Sequence, residues 1–164
     1  MICAECKKPI HWRGKKGQMF PVTALQFCSE RCLKLHVQAQ RPLHEKDLLD
    51  LGITSAPLEF GTRYCYSPEL GVSFRSWFEC SLAEWLVSRW RTQIFYEPHC
   101  MHIEPNQRYI PDFWLPEFGV WLEVKGEWLG GKAKFEHALQ IFGRQRLILI
   151  PSLYKSWFGC RSRT

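Results

Sequence analysis

The chain lacks several features that would place it in other classes of protein. Its 164 residues contain no apolar run approaching the roughly 20 residues that span a bilayer, so we expect no membrane segment. The first residues show no secretory signal pattern, and we therefore expect a cytoplasmic protein. The absence of internal repeats and of low-complexity tracts excludes a solenoid and a largely disordered chain.

Acidic residues are also in short supply. Asp and Glu number 16 against 22 Lys and Arg, which gives a net charge of +6. Such an excess favours a polyanionic partner, because cations contact phosphates and those contacts weaken as salt rises. With 46% hydrophobic residues, the chain can bury one core of about 100 residues and still carry a small metal-stabilised module.

The eight cysteines do not form a recognisable disulfide framework. Cys3 and Cys6 make a CxxC pair, and Cys28 and Cys32 make a CxxxC pair. The two pairs are separated by 21 residues. In a cytosolic chain this spacing is more typical of metal binding than of disulfides, although redox cysteines are an alternative. Four thiolates form a closed, structural Zn²⁺ site. His36, on the same predicted helix as Cys32, is an alternative fourth ligand.

The CxxC turn followed by a Phe-Cys-Ser-x-x-Cys helix resembles the treble-clef zinc fingers of small bacterial proteins. The resemblance implies a zinc module over residues 1–36, too small to fold without its metal. This segment is basic, and we interpret its cations as DNA-binding, although an exposed lysine run is often only a solvated surface. The residues concerned are Lys7, Lys8, Arg13, Lys15 and Lys16.

A second signal lies in the segment 109–128. Side chains alternate along a strand, so in residues 120–125 the apolar positions can face a core while Glu123 and Lys125 share the opposite face. An acid and an amine placed there are costly to bury unless they are paired or bind a cation. Asp112 follows a proline in an extended segment, and a short turn would set it beside Glu123.

These residue types suit hydrolysis of a phosphodiester. Mg²⁺ prefers oxygen ligands, and we expect Asp112 and Glu123 to bind it while Lys125 orients water or balances charge. A helix predicted over 74–90, capped by Ser73 or Ser76, offers Glu79 as a third acid, with Glu84 as a weaker candidate. The alternative interpretation is an ordinary solvated strand face and a turn.

The motifs FRSWFE, FYEP and YIPDFWLPEFGVWLEVKGEW occur in an order that resembles the PD-(D/E)xK nuclease superfamily, most closely the junction-resolving endonuclease I of T-odd phages. The resemblance covers Phe74 to Trp128. It implies a prokaryotic or phage-encoded enzyme that cleaves branched DNA with Mg²⁺ or Mn²⁺. The implied catalytic residues are Glu79, Asp112, Glu123 and Lys125. We expect Arg75 to contact DNA, as well as Lys132 and Lys134, which follow the catalytic strand, although these two lysines are alternatively a solvated helix face.

Two other functional classes stay open. One is a restriction-like or transposon-associated nuclease that cuts linear duplexes, and the other is a non-enzymatic zinc adaptor that binds DNA or a protein. A junction-resolving enzyme makes two opposed cuts, so we expect a symmetric homodimer in that case.

The second half of the chain alternates predicted helices and strands. After the helix over 74–90 come strands near 93–97, 100–104, 120–125 and 146–150, and a helix over 131–142. This pattern predicts an α/β protein with a mixed sheet flanked by helices, and the resemblance implies a restriction-endonuclease-like core. We place the zinc finger at 1–36, a turn-rich connector with a helix near 43–51 at 37–72, and the nuclease domain at 73–164.

Overall fold

The structure is a computed structural model that describes residues 1–10, 24–57, 62–104, 107–126 and 132–158. These residues form a mixed α/β fold with several sheets and helices, as the sequence predicted. Within those ranges, no helix combines the length and the apolar character needed to cross a bilayer. Three of the residues predicted to bind DNA, Arg13, Lys15 and Lys16, lie outside them.

The helices agree closely with the predicted ones. They are α1 (Glu30–Gln38), α2 (Glu45–Asp50), α3 (Trp77–Trp85) and α4 (Lys132–Phe142). A π-helical turn, Leu86–Trp90, continues α3, and a 3₁₀ helix, Ser152–Phe158, follows the last strand. Of the two predicted caps of α3, Ser76 is the one used, since its hydroxyl accepts a hydrogen bond from the Glu79 backbone N–H at 3.2 Å.

The described strands form three sheets. They are β1 (Ile53–Ser55), β2 (Cys65–Ser67), β3 (Val72–Phe74), β4 (Phe95–Tyr96), β5 (His99–Glu104), β6 (Gln107–Tyr109), β7 (Phe113–Leu115), β8 (Val120–Lys125) and β9 (Leu147–Pro151). The sheet orders are β1-β5-β6, β2-β3 and β4-β7-β8-β9, and only the β8–β9 pairing is parallel.

The single mixed sheet expected from the sequence is therefore divided. Strands β4 and β5, predicted as neighbours in chain order, belong to different sheets. Between them Glu97 has a φ of 49°, in the left-handed region, and Pro98 follows without a backbone N–H to donate. The chain turns sharply at this point, so β5 leaves the sheet that contains β4.

The hairpin of β7 and β8 is built as the sequence predicted. The two strands pair antiparallel with Phe113 opposite Leu122. Gly119, at a φ of 60°, ends the connecting turn. A Cβ atom there would lie 2.7 Å from both the Arg146 Nη1 atom and the Arg41 carbonyl oxygen, so only glycine fits without moving them. This register sets Asp112, the residue before β7, next to Glu123 in the hairpin.

Strand β8 is buried on both faces. Its residues Val120, Leu122 and Val124 belong to the apolar cluster that contains α3, as predicted for the inward face. The opposite face is covered as well, because Trp121 packs in a second cluster with Phe135 of α4. The face that carries Glu123 is thus part of a second core rather than a solvated surface.

The segment 37–72, expected to be a turn-rich connector, contributes to the sheets. It holds α2, in the place predicted for a helix, and it also contains β1 and β2 and begins β3. Strand β1 pairs with β5. These strands are only three residues long, too short for alternation to be visible against the turns around them.

The N-terminal segment packs on the main core. Cys3, Phe27 and Leu33 lie in the same apolar cluster as α3 and β8. The Tyr154 hydroxyl accepts a hydrogen bond from the Phe27 backbone N–H at 2.8 Å and donates one to the Phe27 carbonyl oxygen at 3.0 Å. The Tyr154 side chain therefore connects the cysteine-bearing segment to the 3₁₀ helix that follows β9.

We predict that Tyr154→Phe lowers the free energy of unfolding by about 1–3 kcal/mol, because it leaves two buried backbone groups of Phe27 without partners. Urea unfolding of the zinc-loaded protein measures the change. Tyr66→Phe is the matched control, since Tyr66 is exposed, and it should change stability by less than about 0.5 kcal/mol. Equal effects of the two substitutions would contradict this account of Tyr154.

Candidate active site and metal centre

Asp112 lies at the centre of the candidate active site. It is 2% exposed, and its Oδ2 atom accepts a hydrogen bond from the backbone N–H of Val124 at 2.6 Å. The hairpin register thereby fixes one carboxylate oxygen against β8. The other oxygen, Oδ1, accepts a hydrogen bond from the Arg75 guanidinium at 3.0 Å. Glu123 and Lys125, the two predicted site residues of β8, lie on either side of Val124 in the sequence.

Glu123 is buried as deeply as Asp112, with 2% of its surface exposed. Its Oε1 atom forms an ion pair with the Lys125 ammonium group. Its Oε2 atom is buried and accepts no well-formed hydrogen bond within the described part of the chain, and the buried Tyr109 hydroxyl, whose pKa is raised by burial and by Glu123, lies nearby. A buried carboxylate oxygen of this kind is costly unless a cation or a donor occupies the space in front of it.

The charges of this site shift the pKa values of its members. Burial raises the pKa of Asp112 well above its usual range, and the nearby carboxylates of Glu123 and Glu79 raise it further, against the effect of Lys125. Burial acts to lower the pKa of Lys125, but the negative charges of Glu123 and Asp112 outweigh it and raise that pKa. Lys125 is therefore an ammonium cation at neutral pH.

Glu79 reaches the site from the first turn of α3. Its Oε2 atom accepts hydrogen bonds from the Tyr96 hydroxyl at 2.6 Å and from the Arg75 backbone N–H at 3.1 Å. Its charge influences Asp112, as the pKa shift shows. The weaker candidate, Glu84, belongs to another network, in which it accepts a hydrogen bond from the Ser67 hydroxyl at 2.7 Å.

A fourth buried acid, Glu97, was not predicted as a site residue. Its Oε1 atom lies 2.5 Å from an Arg75 Nη atom, the same nitrogen that contacts Asp112. Its backbone N–H donates to the Asp112 carbonyl oxygen at 2.8 Å. The sequence did offer a signal, because a glutamate between an apolar strand pair and Pro98 occupies a bend at a strand end, where charged side chains of a site often lie.

Arg75 joins three of these acids. Its guanidinium lies between Glu97 and Asp112, and its backbone N–H contacts Glu79. Burial works against its charge, but the Tyr96 hydroxyl, Asp112 and Glu97 raise its pKa, so it stays cationic. Arg75 was predicted to contact DNA, and 39% of its side chain is exposed.

The acids are not gathered as tightly as a preformed three-carboxylate cage. In the described ranges, the only group of three or more His, Cys, Asp or Glu side chains with ligand atoms within 4.8 Å of one another is the cysteine cluster. The three predicted Mg²⁺ ligands, Asp112, Glu123 and Glu79, are therefore not all within this distance of one another. Asp112 and Glu123 belong to one hairpin, whereas hydrogen bonds from Tyr96 and the Arg75 backbone hold Glu79. One or two carboxylates are the usual protein contribution to a Mg²⁺ shell, which keeps several waters.

The four predicted zinc ligands do come together. Cys3, Cys6, Cys28 and Cys32 have their sulfur atoms within 4.8 Å of one another, and this group could hold a structural metal such as zinc. The Sγ atoms of Cys28 lie 3.5 Å from that of Cys6 and 3.6 Å from that of Cys32. Tetrahedral Zn–S bonds of about 2.3 Å place sulfurs at about 3.8 Å, close to these distances.

Local structure explains why the thiols converge. Ile2 pairs with Pro9 across a tight turn that carries Cys3 and Cys6. The other two cysteines flank the start of α1, where the Ser29 hydroxyl caps the Cys32 backbone N–H at 3.3 Å. His36, the alternative ligand, is outside the cluster and is buried with its ring 5.2 Å from that of Phe27.

The thiols also influence one another's ionisation. Burial acts to raise the pKa of Cys3, but backbone N–H groups of Cys6, Cys28 and Glu5 lower it to about 7. Burial and the thiols of Cys6 and Cys32 raise the pKa of Cys28 to about 12. Four thiolates cannot coexist here without a cation, and a divalent metal supplies the compensating charge.

The other predicted DNA contacts are dispersed. Lys7 and Lys8 are exposed on the N-terminal turn. On α4, Lys134 is exposed, whereas Lys132 forms a loose ion pair with Glu136 at 3.9 Å. Of the residues that were predicted to bind DNA and that the structure describes, only Arg75 contacts the carboxylates of the candidate active site.

Comparisons of the chain with protein-family models, with curated proteins and with solved structures found no match.

We predict that the purified protein contains one zinc ion per chain and that Cys6→Ala loses it, because three thiolates no longer close the site. Elemental analysis by mass spectrometry and the melting temperature measure both effects. The matched control is Cys100→Ala, since Cys100 lies on β5 outside the cluster and should leave the zinc content unchanged. Equal zinc loss in both variants would contradict the assignment.

A second prediction concerns Asp112→Asn in the zinc-loaded protein without added Mg²⁺ or Mn²⁺. A carboxyl group with a raised pKa in the fold stabilises the protein below its unfolded pKa, and this contribution is lost as the pH rises through the folded pKa. Wild type should therefore lose stability relative to Asp112→Asn between about pH 5 and about pH 8. Urea unfolding at both pH values measures the difference.

The control for this experiment is Glu104→Gln, which removes a negative charge from an exposed side chain. It should show no comparable widening of the stability difference with pH. A wild-type protein that gains stability over Asp112→Asn as the pH rises would show that the Asp112 charge is fully compensated without a metal.

Proposed function

We propose that this protein is a metal-dependent DNA endonuclease of the PD-(D/E)xK type that acts on branched or distorted DNA. The proposal is supported above all by one arrangement: Asp112 and Glu123 lie buried on neighbouring strands of a hairpin, and Lys125 is ion-paired to Glu123. The mixed α/β fold is compatible with a restriction-endonuclease-like core, which forms part of the same proposal.

The carboxylates suit a hard divalent cation. Asp112 and Glu123 would hold Mg²⁺ or Mn²⁺, since the buried Glu123 Oε2 atom accepts no well-formed hydrogen bond from the described residues. Burial and the negative charges of Glu123 and Glu79 also raise the pKa of Asp112. When bound, such an ion polarises the phosphate and supplies a hydroxide-like water at neutral pH. The hydrogen bond from Val124 to Asp112 Oδ2 would keep the ligand oriented between turnovers.

Lys125 has a role that follows from its raised pKa. The negative charges of Glu123 and Asp112 favour the ammonium form of Lys125, which is a hydrogen-bond donor. It can donate hydrogen bonds to the attacking water or to the phosphate oxygens on which charge develops. Its ion pair with Glu123 fixes its position next to the reacting atoms.

Arg75 and Glu79 complete the proposed centre. The Arg75 side chain, 39% exposed, would contact a phosphate of the DNA strand while Glu97 and Asp112 remain bound to its guanidinium group. Glu79 acts through its hydrogen bonds to Tyr96 and to the Arg75 backbone, and its charge adds to the field that attracts the cation.

The cysteine cluster belongs to the proposal as a structural zinc site of treble-clef type. Lys7 and Lys8 on its exposed turn would add contacts to DNA phosphates. Because the segment shares the main apolar core, it would position the nuclease fold as well as widen the DNA-binding surface.

We predict that the zinc-loaded protein with Mg²⁺ or Mn²⁺ cuts a four-way DNA junction faster than a linear duplex of the same sequence, and that added Mn²⁺ raises its melting temperature. Asp112→Asn and Glu123→Gln should each lower the cleavage rate by at least about 10²- to 10³-fold, because each loses a metal ligand. Both should also lose the melting-temperature shift.

The matched control, Glu104→Gln, should cut and bind Mn²⁺ as wild type does. Asp112→Asn should bind the junction at wild-type affinity, which separates binding from catalysis. Equal rates on junction and linear DNA would favour a duplex-cutting nuclease. Binding of DNA without cleavage of any substrate, with no Mn²⁺ shift, would replace the enzyme by a zinc-containing adaptor.

A further inference from the structure

Two tyrosines project from the hairpin of β2 and β3. Tyr64 is 73% exposed and Tyr66 is 58% exposed, whereas Cys65 between them is 1% exposed and faces the core. Since side chains alternate along a strand, both phenols lie on the outer face of the hairpin. Because both side chains are exposed, packing in the core does not explain why aromatic residues occupy these two positions.

The outer face of the hairpin leads to the candidate active site. In the antiparallel register Cys65 is opposite Phe74 and Tyr66 is opposite Ser73, and the Tyr64 backbone N–H donates to the Phe74 carbonyl oxygen at 2.9 Å. Strand β3 ends at Phe74, so Arg75 is the first residue after the hairpin, at the same end of the hairpin as Tyr64. Arg75 in turn contacts Asp112.

A second cation lies near Tyr64 and Arg75. The guanidinium of Arg63 is 5.1 Å from the centre of the Tyr96 ring and 3.4 Å from the Glu97 carboxylate. About a third of its side chain is exposed. The two tyrosines are thus flanked, towards the active site, by the positive charges of Arg63 and Arg75.

We propose that Tyr64 and Tyr66 stack on unpaired bases of a DNA strand whose backbone passes Arg75 and enters the active site at Asp112. This inference rests on the proposed endonuclease function and specifies its substrate as DNA with unpaired nucleotides beside the cleaved phosphate. Aromatic side chains that accept base faces, beside cations that follow the backbone, are the two elements of single-strand recognition.

Spacing favours an unstacked strand over a duplex. Residues two positions apart on a strand are separated by about 6.7 Å, which is about twice the 3.4 Å rise between stacked base pairs. Two such phenols can each accept a base only where neighbouring bases are separated. The faces of bases inside a continuous duplex are covered by their neighbours, so a matched duplex offers nothing to this surface.

Charge and size favour nucleic acid over a protein partner. The two phenols are a small surface compared with the roughly 800 Å² that each partner contributes to a stable protein interface. The net charge of +6 complements a polyanion. Arg63 and Arg75, which are partly exposed and ion-paired to buried carboxylates, lie at the end of this surface that is nearer the active site.

The test is the affinity of the zinc-loaded full chain for a fluorescent oligothymidine and for a blunt, matched duplex, measured by anisotropy without added Mg²⁺. Tyr64→Ala and Tyr66→Ala should each weaken oligothymidine binding by roughly five- to a hundredfold, the range for loss of one stacked base. Both should leave duplex binding within about twofold of wild type. Tyr64→Phe and Tyr66→Phe keep the ring and should bind as wild type does.

Leu49→Ala is the matched control, because Leu49 is 65% exposed on α2 and its loss should change neither affinity. A second measurement needs no variant. Photocrosslinking of the wild type to a 5-iodouracil oligonucleotide, followed by digestion, should recover a peptide that contains Tyr64 or Tyr66. Recovery only of peptides from elsewhere in the chain would overturn the proposal.

Three further outcomes would also overturn it. One is an equal loss of duplex and oligothymidine binding, and another is a loss in the phenylalanine variants that equals the loss in the alanine variants. The third is a change in sedimentation without a change in oligothymidine affinity, which would make the surface a contact between copies of the chain. Cleavage is measured separately with Mg²⁺, so an inactive protein that still stacks on bases would overturn only the nuclease proposal.

Discussion

The burial of the Asp112 and Glu123 carboxylates is the constraint around which the rest of the structure is arranged. The hairpin that carries them is covered on both faces, so neither charge is solvated. Arg75 and Lys125 supply nearby positive charge, and the Val124 backbone N–H adds a hydrogen bond. This compensation is incomplete, because the pKa of Asp112 remains raised and one Glu123 oxygen accepts no well-formed hydrogen bond from the described residues. An apolar hairpin of the same shape would have a higher free energy of unfolding, since functional sites commonly reduce the stability of the fold that carries them.

The elements around the hairpin make sense as supports for those two side chains. Helix α3 begins at Ser76, so Arg75 and Glu79 lie on either side of its cap and share a hydrogen bond between the Arg75 backbone N–H and the Glu79 carboxylate. The bend at Glu97 ends β4 and turns its carboxylate onto the Arg75 guanidinium. Backbone N–H groups thus hold the carboxylates of Asp112 and Glu79, whereas Arg75 and Lys125 are held by ion pairs with carboxylates.

Sequence reasoning located the hairpin because its information is local. Alternation in 120–125, the proline before Asp112 and the five-residue turn between the strands fix which side chains are neighbours, and the cysteine spacing fixes the cluster in the same way. The bend before Pro98 marks Glu97 only as a charged residue at a strand end, because its contact with Arg75, 22 residues earlier in the chain, depends on a left-handed backbone conformation that the local pattern does not reveal. The division of the strands into separate sheets could not be predicted from local sequence patterns either. Strands of three residues carry too few alternating positions to reveal their partners, and pairing between β1 and β5 is a long-range choice made by packing.

The cysteine cluster and the candidate active site are connected through residues that pack on one core, so the described residues 1–10 and 24–36 do not pack as a separate unit. Strand β9 lies parallel to β8, with Leu149 opposite Glu123. The chain leaves β9 into the 3₁₀ helix, where the Tyr154 hydroxyl binds both backbone groups of Phe27, the residue before Cys28. The buried Tyr154 hydroxyl thus connects the segment that carries Cys28 to the helix after β9, and β9 pairs with the strand that carries Glu123. A metal bound by Cys28 would therefore restrain Phe27 and, through Tyr154, the 3₁₀ helix that follows β9, so metal binding would stabilise the sheet that carries Glu123.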